Sequence, residues 1–135
     1  MLTQFSRTEL LLGKEAMNKL EGARVAVFGI GGVGGYVCEA LVRSGVGKLD
    51  LIDNDKVCMS NLNRQIIATR NTVGKYKTEV MKSRILEINP ETEVNIHNCF
   101  FLPENAEAAQ RPMLFLTQRR YRWLPGLSTG MLQIT

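Results

Sequence analysis

The 135 residues suffice for one domain around one hydrophobic core. No apolar run is long enough to span a bilayer, and Met1 to Arg7 lacks the basic-then-apolar build of a secretion signal, so a cytoplasmic protein is expected. Of the net charge of +4, most lies in residues 106–135, where Arg111, Arg119, Arg120 and Arg122 face Glu107 alone, which removes overall charge as an argument for nucleic-acid binding.

Ser6-Arg7-Thr8-Glu9 fits a capping box, with Ser6 as N-cap of a short helix and Glu9 reaching back. Gly13 breaks that helix, and Lys14 to Leu20 offers Ala16, Met17 and Leu20 as the apolar face of a second. Arg24 to Phe28 is a short apolar run bounded by glycine, the pattern of a buried parallel strand. Gly29-Ile30-Gly31-Gly32-Val33-Gly34 follows at once, a G-x-G-x-x-G with an extra glycine inside and Gly35 after it. Such glycines serve the tight turn, the close approach of backbone to phosphate, and helix-on-strand packing. Val33 to Val42 reads as a helix whose N-terminal N–H groups and dipole would face an anion. Lys48 to Asp53 is the next strand, and Asp53 lies nineteen residues past Gly34, where a carboxylate can accept hydrogen bonds from a ribose. Strand, glycine turn, helix and acid together point to a bound nucleotide.

Residues 54–65 are unusually polar for a strand-to-helix connection. Asp53 and Asp55 would form an acidic edge at the carboxyl end of the second strand, where open α/β sheets bind ligands. Ser60 can cap a helix running through Gln65 and Ile67, with Arg64 and Gln65 near its start. Lys75 to Ile88 is a helix stopped by Asn89-Pro90. Lys77 in its first turn opposes the helix dipole, which suits either a nearby anion or a solvated surface lysine. Glu93 to His97 alternates as a third strand, and His97, the only histidine, is expected to be structural or exposed. Cys38, Cys58 and Cys99 are odd in number and form no C-x-x-C pair, so neither a disulfide framework nor a structural zinc is expected, and no metal-ligating residue is assigned. After Asn105 the local signals disagree. One strand-like run, Met113 to Thr117, is followed by Arg119 to Trp123 with no period, where disorder is expected.

The pairing of Gly29 to Gly34 with Ser60-Asn61-Leu62-Asn63-Arg64-Gln65 and Lys77 resembles the E1-like (ThiF-type) adenylating family, which includes activators of ubiquitin and of sulfur-carrier proteins. Phe5-Ser6-Arg7, Ile52 to Cys58, and Arg84-Ile85 through Asn89-Pro90 look closest to the branch that dehydrates threonylcarbamoyladenosine in tRNA. The resemblance covers residues 1 to about 105 and implies a Rossmann-like, three-layer α/β/α domain with a mostly parallel sheet, C-terminally truncated, followed by an aberrant or poorly ordered tail over residues 106–135.

It further implies that Gly29, Gly31, Gly32 and Gly34 take the phosphates of ATP and Asp53 the ribose, with Asp55, Asn61 and Gln65 lining the same site. Arg64 and Lys77 would neutralise the triphosphate and the charge developing at the α-phosphorus, and Arg7 would reach the ATP of a partner subunit in a homodimer. The family's Mg²⁺-binding aspartate ends a fourth strand, whereas the run here ends in Thr117-Gln118. The implied partner is tRNA carrying threonylcarbamoyladenosine, with no membrane. The loss of pattern near Asn105 resembles a frameshifted or truncated reading frame, and a 135-residue chain of this kind is expected to bind ATP without completing the reaction. Two other activities fit parts of the pattern: activation of a ubiquitin-like or sulfur-carrier protein, and an NAD-binding oxidoreductase domain. The second leaves Arg64, Lys77 and residues 60–65 without a role.

Overall fold

The computed structural model describes residues 2–100 together with Leu114–Thr117 and Met131–Gln133. Its centre is a parallel sheet in the order β3-β2-β1-β4-β5, built from β1 (Arg24–Phe28), β2 (Lys48–Ile52), β3 (Glu93–His97), β4 (Leu114–Thr117) and β5 (Met131–Gln133). Chain order reverses between β1 and β4, which makes this a Rossmann-like α/β sheet and places its ligand crevice at the carboxyl ends of those two strands.

The apolar residues of β1 and β2 divide between two faces because side chains alternate along a strand. Val25, Val27, Leu49 and Leu51 meet Val94 of β3 and the helices α3 (Gly34–Ser44) and α4 (Lys77–Ile88), which contribute Cys38, Val42, Met81 and Ile85. Ala26, Phe28 and Ile52 form a smaller buried cluster on the opposite face, so both faces are covered. Burial pushes the Cys38 thiol up to about 12, which leaves it inert. Glu39 of α3 accepts hydrogen bonds from Arg84 of α4 at 2.6 and 3.1 Å and from Arg43, and Arg84 above all holds its carboxyl below the usual carboxylate range. That staple fixes the two helices whose N-termini flank the crevice.

Before β1 come α1 (Ser6–Leu12) and α2 (Lys14–Gly22), separated by Gly13 at φ 81°. The expected capping box at Ser6 is absent. Phe5 is the N-cap, and the Ser6 hydroxyl instead accepts the Thr3 N–H, a local bond that competes with helix capping. The expected helix from Ser60 is also replaced, by a single 3₁₀ turn at Met59–Asn61. Asn61 Oδ1 takes the Cys58 N–H at 3.0 Å, so the side chains of this polar run close turns on their own backbone. Helix α4 starts two residues later than expected, since Tyr76 is engaged in an antiparallel bridge with Lys56.

The run at Met113 to Thr117 does enter the sheet, as β4, and β5 is a strand that sequence patterning did not reveal. The expectation of disorder over Arg119 to Trp123 lies outside the described residues. Among the described residues no helix is long and apolar enough to cross a membrane.

Candidate functional site

The crevice is built from the turn after β1 upward. The Gly29 N–H donates to the Ile52 carbonyl at 2.8 Å, and Gly29 itself takes a φ of 89°, which bends the chain out of the strand. Gly34 then opens α3 directly against Gly29: a β-carbon there would lie 1.8 Å from the Gly29 carbonyl oxygen. Gly31 accepts the Gly35 N–H at 3.1 Å within the same turn. Gly32 is different, for a β-carbon on it would meet only the Arg64 side chain, at 3.8 Å. Arg64 therefore lies over the glycine turn.

Asp53 follows β2 and is the strut of the site. Its Oδ2 accepts the Ile30 N–H at 2.7 Å and its Oδ1 accepts the Asp55 N–H at 2.8 Å. One carboxylate thus ties the glycine turn to the acidic edge, with lone pairs remaining for a hydroxyl donor. Asp55 continues the chain of contacts. Its carbonyl accepts the Lys77 N–H at 3.1 Å and its carboxylate pairs with Lys77 Nζ at 3.4 Å. Lys77 is only 7% exposed, so the surface-lysine alternative is wrong for this residue. A buried ammonium needs a negative partner, and a half-exposed carboxylate at 3.4 Å is a loose one.

Arg64 donates from Nη1 to the Ser60 carbonyl at 3.1 Å and to Asn63 Oδ1 at 2.9 Å. Among the described residues it has no carboxylate partner, so its positive charge beside Gly32 is uncompensated. Asn61 and Gln65 are both buried, and among the described residues Gln65 Oε1 has no hydrogen-bond partner. Cys58 stands exposed at the edge of the site, its thiol held below the ordinary value first by the Ser60 hydroxyl and then by backbone N–H groups and Lys77. The arrangement as a whole offers backbone N–H groups, a helix N-terminus and two cations around a glycine-rich turn. That suits a polyphosphate.

Arg7 is not part of this assembly within one chain. Phe5, two residues before it, packs on Gly45 at the C-terminal end of α3, far from the glycine turn. His97 ends β3, and its carbonyl accepts the Asp53 N–H at 3.2 Å, a backbone role. On the other side of the crevice, the backbone register sets Thr117 opposite Phe28. Thr117 stands there in place of an acid, and no group of three His, Cys, Asp or Glu side chains among the described residues is arranged to hold a metal. Among the described residues, the crevice presents no set that fits a protein-held Mg²⁺. Sequence reasoning missed Thr78 and Asn98, which the fold joins by a hydrogen bond beside Lys77. They lie twenty residues apart, and no local pattern links them.

Comparison with known proteins follows the same outline. The ThiF family model matches residues 5–115. The chain is 50% identical over 107 residues to tRNA threonylcarbamoyladenosine dehydratase of Bacillus subtilis, covering 79% of this chain and 42% of the relative. It is 53% identical over 91 residues to the protein of that name in Haemophilus influenzae, covering 67% and 35%. The structure of the Escherichia coli dehydratase in complex with ATP superposes with a TM-score of 0.83 at 40% identity, over 87% of this chain and 49% of that one. The chain therefore spans less than half the length of each of these three proteins.

Proposed function

The chain belongs to the ThiF family, and from that premise we propose that it forms the ATP-binding part of an adenylating site acting on threonylcarbamoyladenosine in tRNA. The observation that carries the reading is the uncompensated Arg64 guanidinium lying over Gly32, beside a turn already braced by Asp53. A dinucleotide reading leaves that cation without a role, whereas the larger charge of a triphosphate gives it one. The two relatives at 50% and 53% identity are dehydratases, which favours a tRNA-borne carboxylate over a protein C-terminus.

In this reading the carboxylate of the threonylcarbamoyl group attacks the α-phosphorus and pyrophosphate leaves. Adenylation makes a good leaving group of a poor one, and the neighbouring carbamoyl group closes the ring as AMP departs. The glycine turn and the start of α3 hold phosphate oxygens. Arg64 and Lys77 stabilise the charge that builds at phosphorus, and Asp53 orients the ribose. Asn61 holds the 58–61 turn in shape, and Gln65 supplies a buried acceptor. Arg7 is exposed, which is compatible with its serving the site of a second copy, and sedimentation equilibrium with and without ATP tests that dimer.

Calorimetry on the 135-residue chain should show ATP bound more tightly than NAD. Tighter binding of NAD would overturn the adenylating reading. Arg64→Ala and Lys77→Ala should each weaken ATP binding by roughly 1.5–3 kcal/mol, the range for hydrogen bonds to charged groups. Parent-like affinity in both variants would show that neither cation touches the phosphates.

A further inference from the structure

We propose that Thr78 and Asn98 are positioning residues for Lys77, joining the first turn of α4 to the carboxyl end of β3. The inference rests on the nucleotide-site reading above and deepens it. A lysine ammonium sits on a flexible four-carbon stem, so its location is set by where its helix starts and by what grips its end. The grip is loose, 3.4 Å to an Asp55 carboxylate that is itself 55% exposed. The helix start has no side-chain cap, since Tyr76 at the N-cap position supplies none. Two backbone ties hold that start from the β2 side, the Lys77 N–H to the Asp55 carbonyl and the bridge between Lys56 and Tyr76.

The remaining tie comes from the other side. The hydroxyl of fully buried Thr78 donates to Asn98 Oδ1, one residue beyond the end of β3. Thr78 is the second residue of α4, so its hydroxyl has no preceding helical turn to bond back to and reaches another element instead. The His97 carbonyl, next to Asn98, also accepts the Asp53 N–H. The end of β3 thus grips both the strut of the glycine turn and the turn of α4 that carries Lys77, and it sets the distance between them. Without the hydroxyl, the first turn of α4 is tied by hydrogen bonds from the β2 side only.

Thr78→Val keeps the shape of the side chain and removes the donor, and exposed Asn98 can give its oxygen to water, so folding is retained. ATP affinity should fall about 3- to 10-fold, the range of one hydrogen bond's net contribution. Thr78→Ser, which keeps the hydroxyl, should restore it to within about twofold, and Asn98→Ala should repeat the loss. In a Lys77→Ala background Thr78→Val should have no further effect, because the lysine it positions is gone. In nucleotide-free protein, acylation of Lys77 followed by mass spectrometry should run about threefold faster or more in Thr78→Val than in the parent. An equal loss of ATP affinity with and without Lys77 would overturn the proposal, as would parent-like labelling in Thr78→Val. A parent that binds no ATP but shows the labelling change would sink the nucleotide reading and leave the positioning link standing.

Discussion

Gly34→Ala should lower the stability of the chain by about 3 kcal/mol or more and remove measurable ATP binding, while Gly32→Ala should leave stability close to the parent. The two glycines belong to one turn but meet different neighbours. A β-carbon at Gly34 would fall 1.8 Å from the Gly29 carbonyl oxygen and 2.9 Å from its carbon. Those are backbone atoms at the exit of β1, and Gly29 is fixed there by its own N–H on the Ile52 carbonyl. No rotamer change relieves such a contact, so either α3 moves off the sheet or the turn opens. Opening the turn would pull Ile30 away from Asp53 and dismantle the phosphate cradle. At Gly32 the nearest atoms belong to the flexible Arg64 side chain, at 3.8 Å, an ordinary van der Waals distance. Denaturant midpoints and ATP calorimetry on both variants check the contrast. Equal stability in the two would show that α3 is not seated on Gly29.

The features legible in the sequence are those whose cause is local. Strand β1 has the bounds that its apolar run suggests and β3 those that its alternation suggests, because burial in the sheet demands such patterns. The glycine turn and Asp53 were legible because their spacing follows from the strand–turn–helix geometry. That Asp53 would brace both Ile30 and Asp55 was not, since a carboxylate at a strand end has several possible donors and only the tertiary fold selects among them. The same holds for Lys77, whose position against the helix dipole suits a solvated lysine or one facing an anion, and only its burial beside Asp55 removes the solvated one. The helix expected from Ser60 failed because Asn61 closes a tighter turn on Cys58, a competition that composition does not resolve. Strand β5 spans only Met131–Gln133, too short a segment to display a period of its own.

Arg24→Met should cost the fold roughly 3–5 kcal/mol, and more than Asp50→Asn, without changing the ATP affinity of the folded protein. Both residues lie on the face of the sheet opposite α3 and α4, where Asp50 is paired in register with Ala26. The Arg24 guanidinium grips the Asp50 carboxylate with two bonds, Nε to Oδ2 at 2.7 Å and the second nitrogen to Oδ1 at 2.8 Å. Their exposures differ, 22% for the Arg24 side chain and none for that of Asp50. Removing the arginine therefore leaves a carboxylate sealed in the sheet with no other cation among the described residues to neutralise it, whereas removing the acid leaves a guanidinium that can turn towards water. Asp50→Asn also keeps the shape and one acceptor oxygen. Arg24 opens β1 at its amino end, whereas Gly29 and Asp53 lie past the carboxyl ends of β1 and β2, so the phosphate cradle is out of reach of the lost pair. Chemical denaturation of both variants, with ATP titrations on the folded protein, separates the two effects. If Asp50→Asn proves the more damaging substitution, Asp50 is held by something other than Arg24 and the asymmetry argued from burial fails.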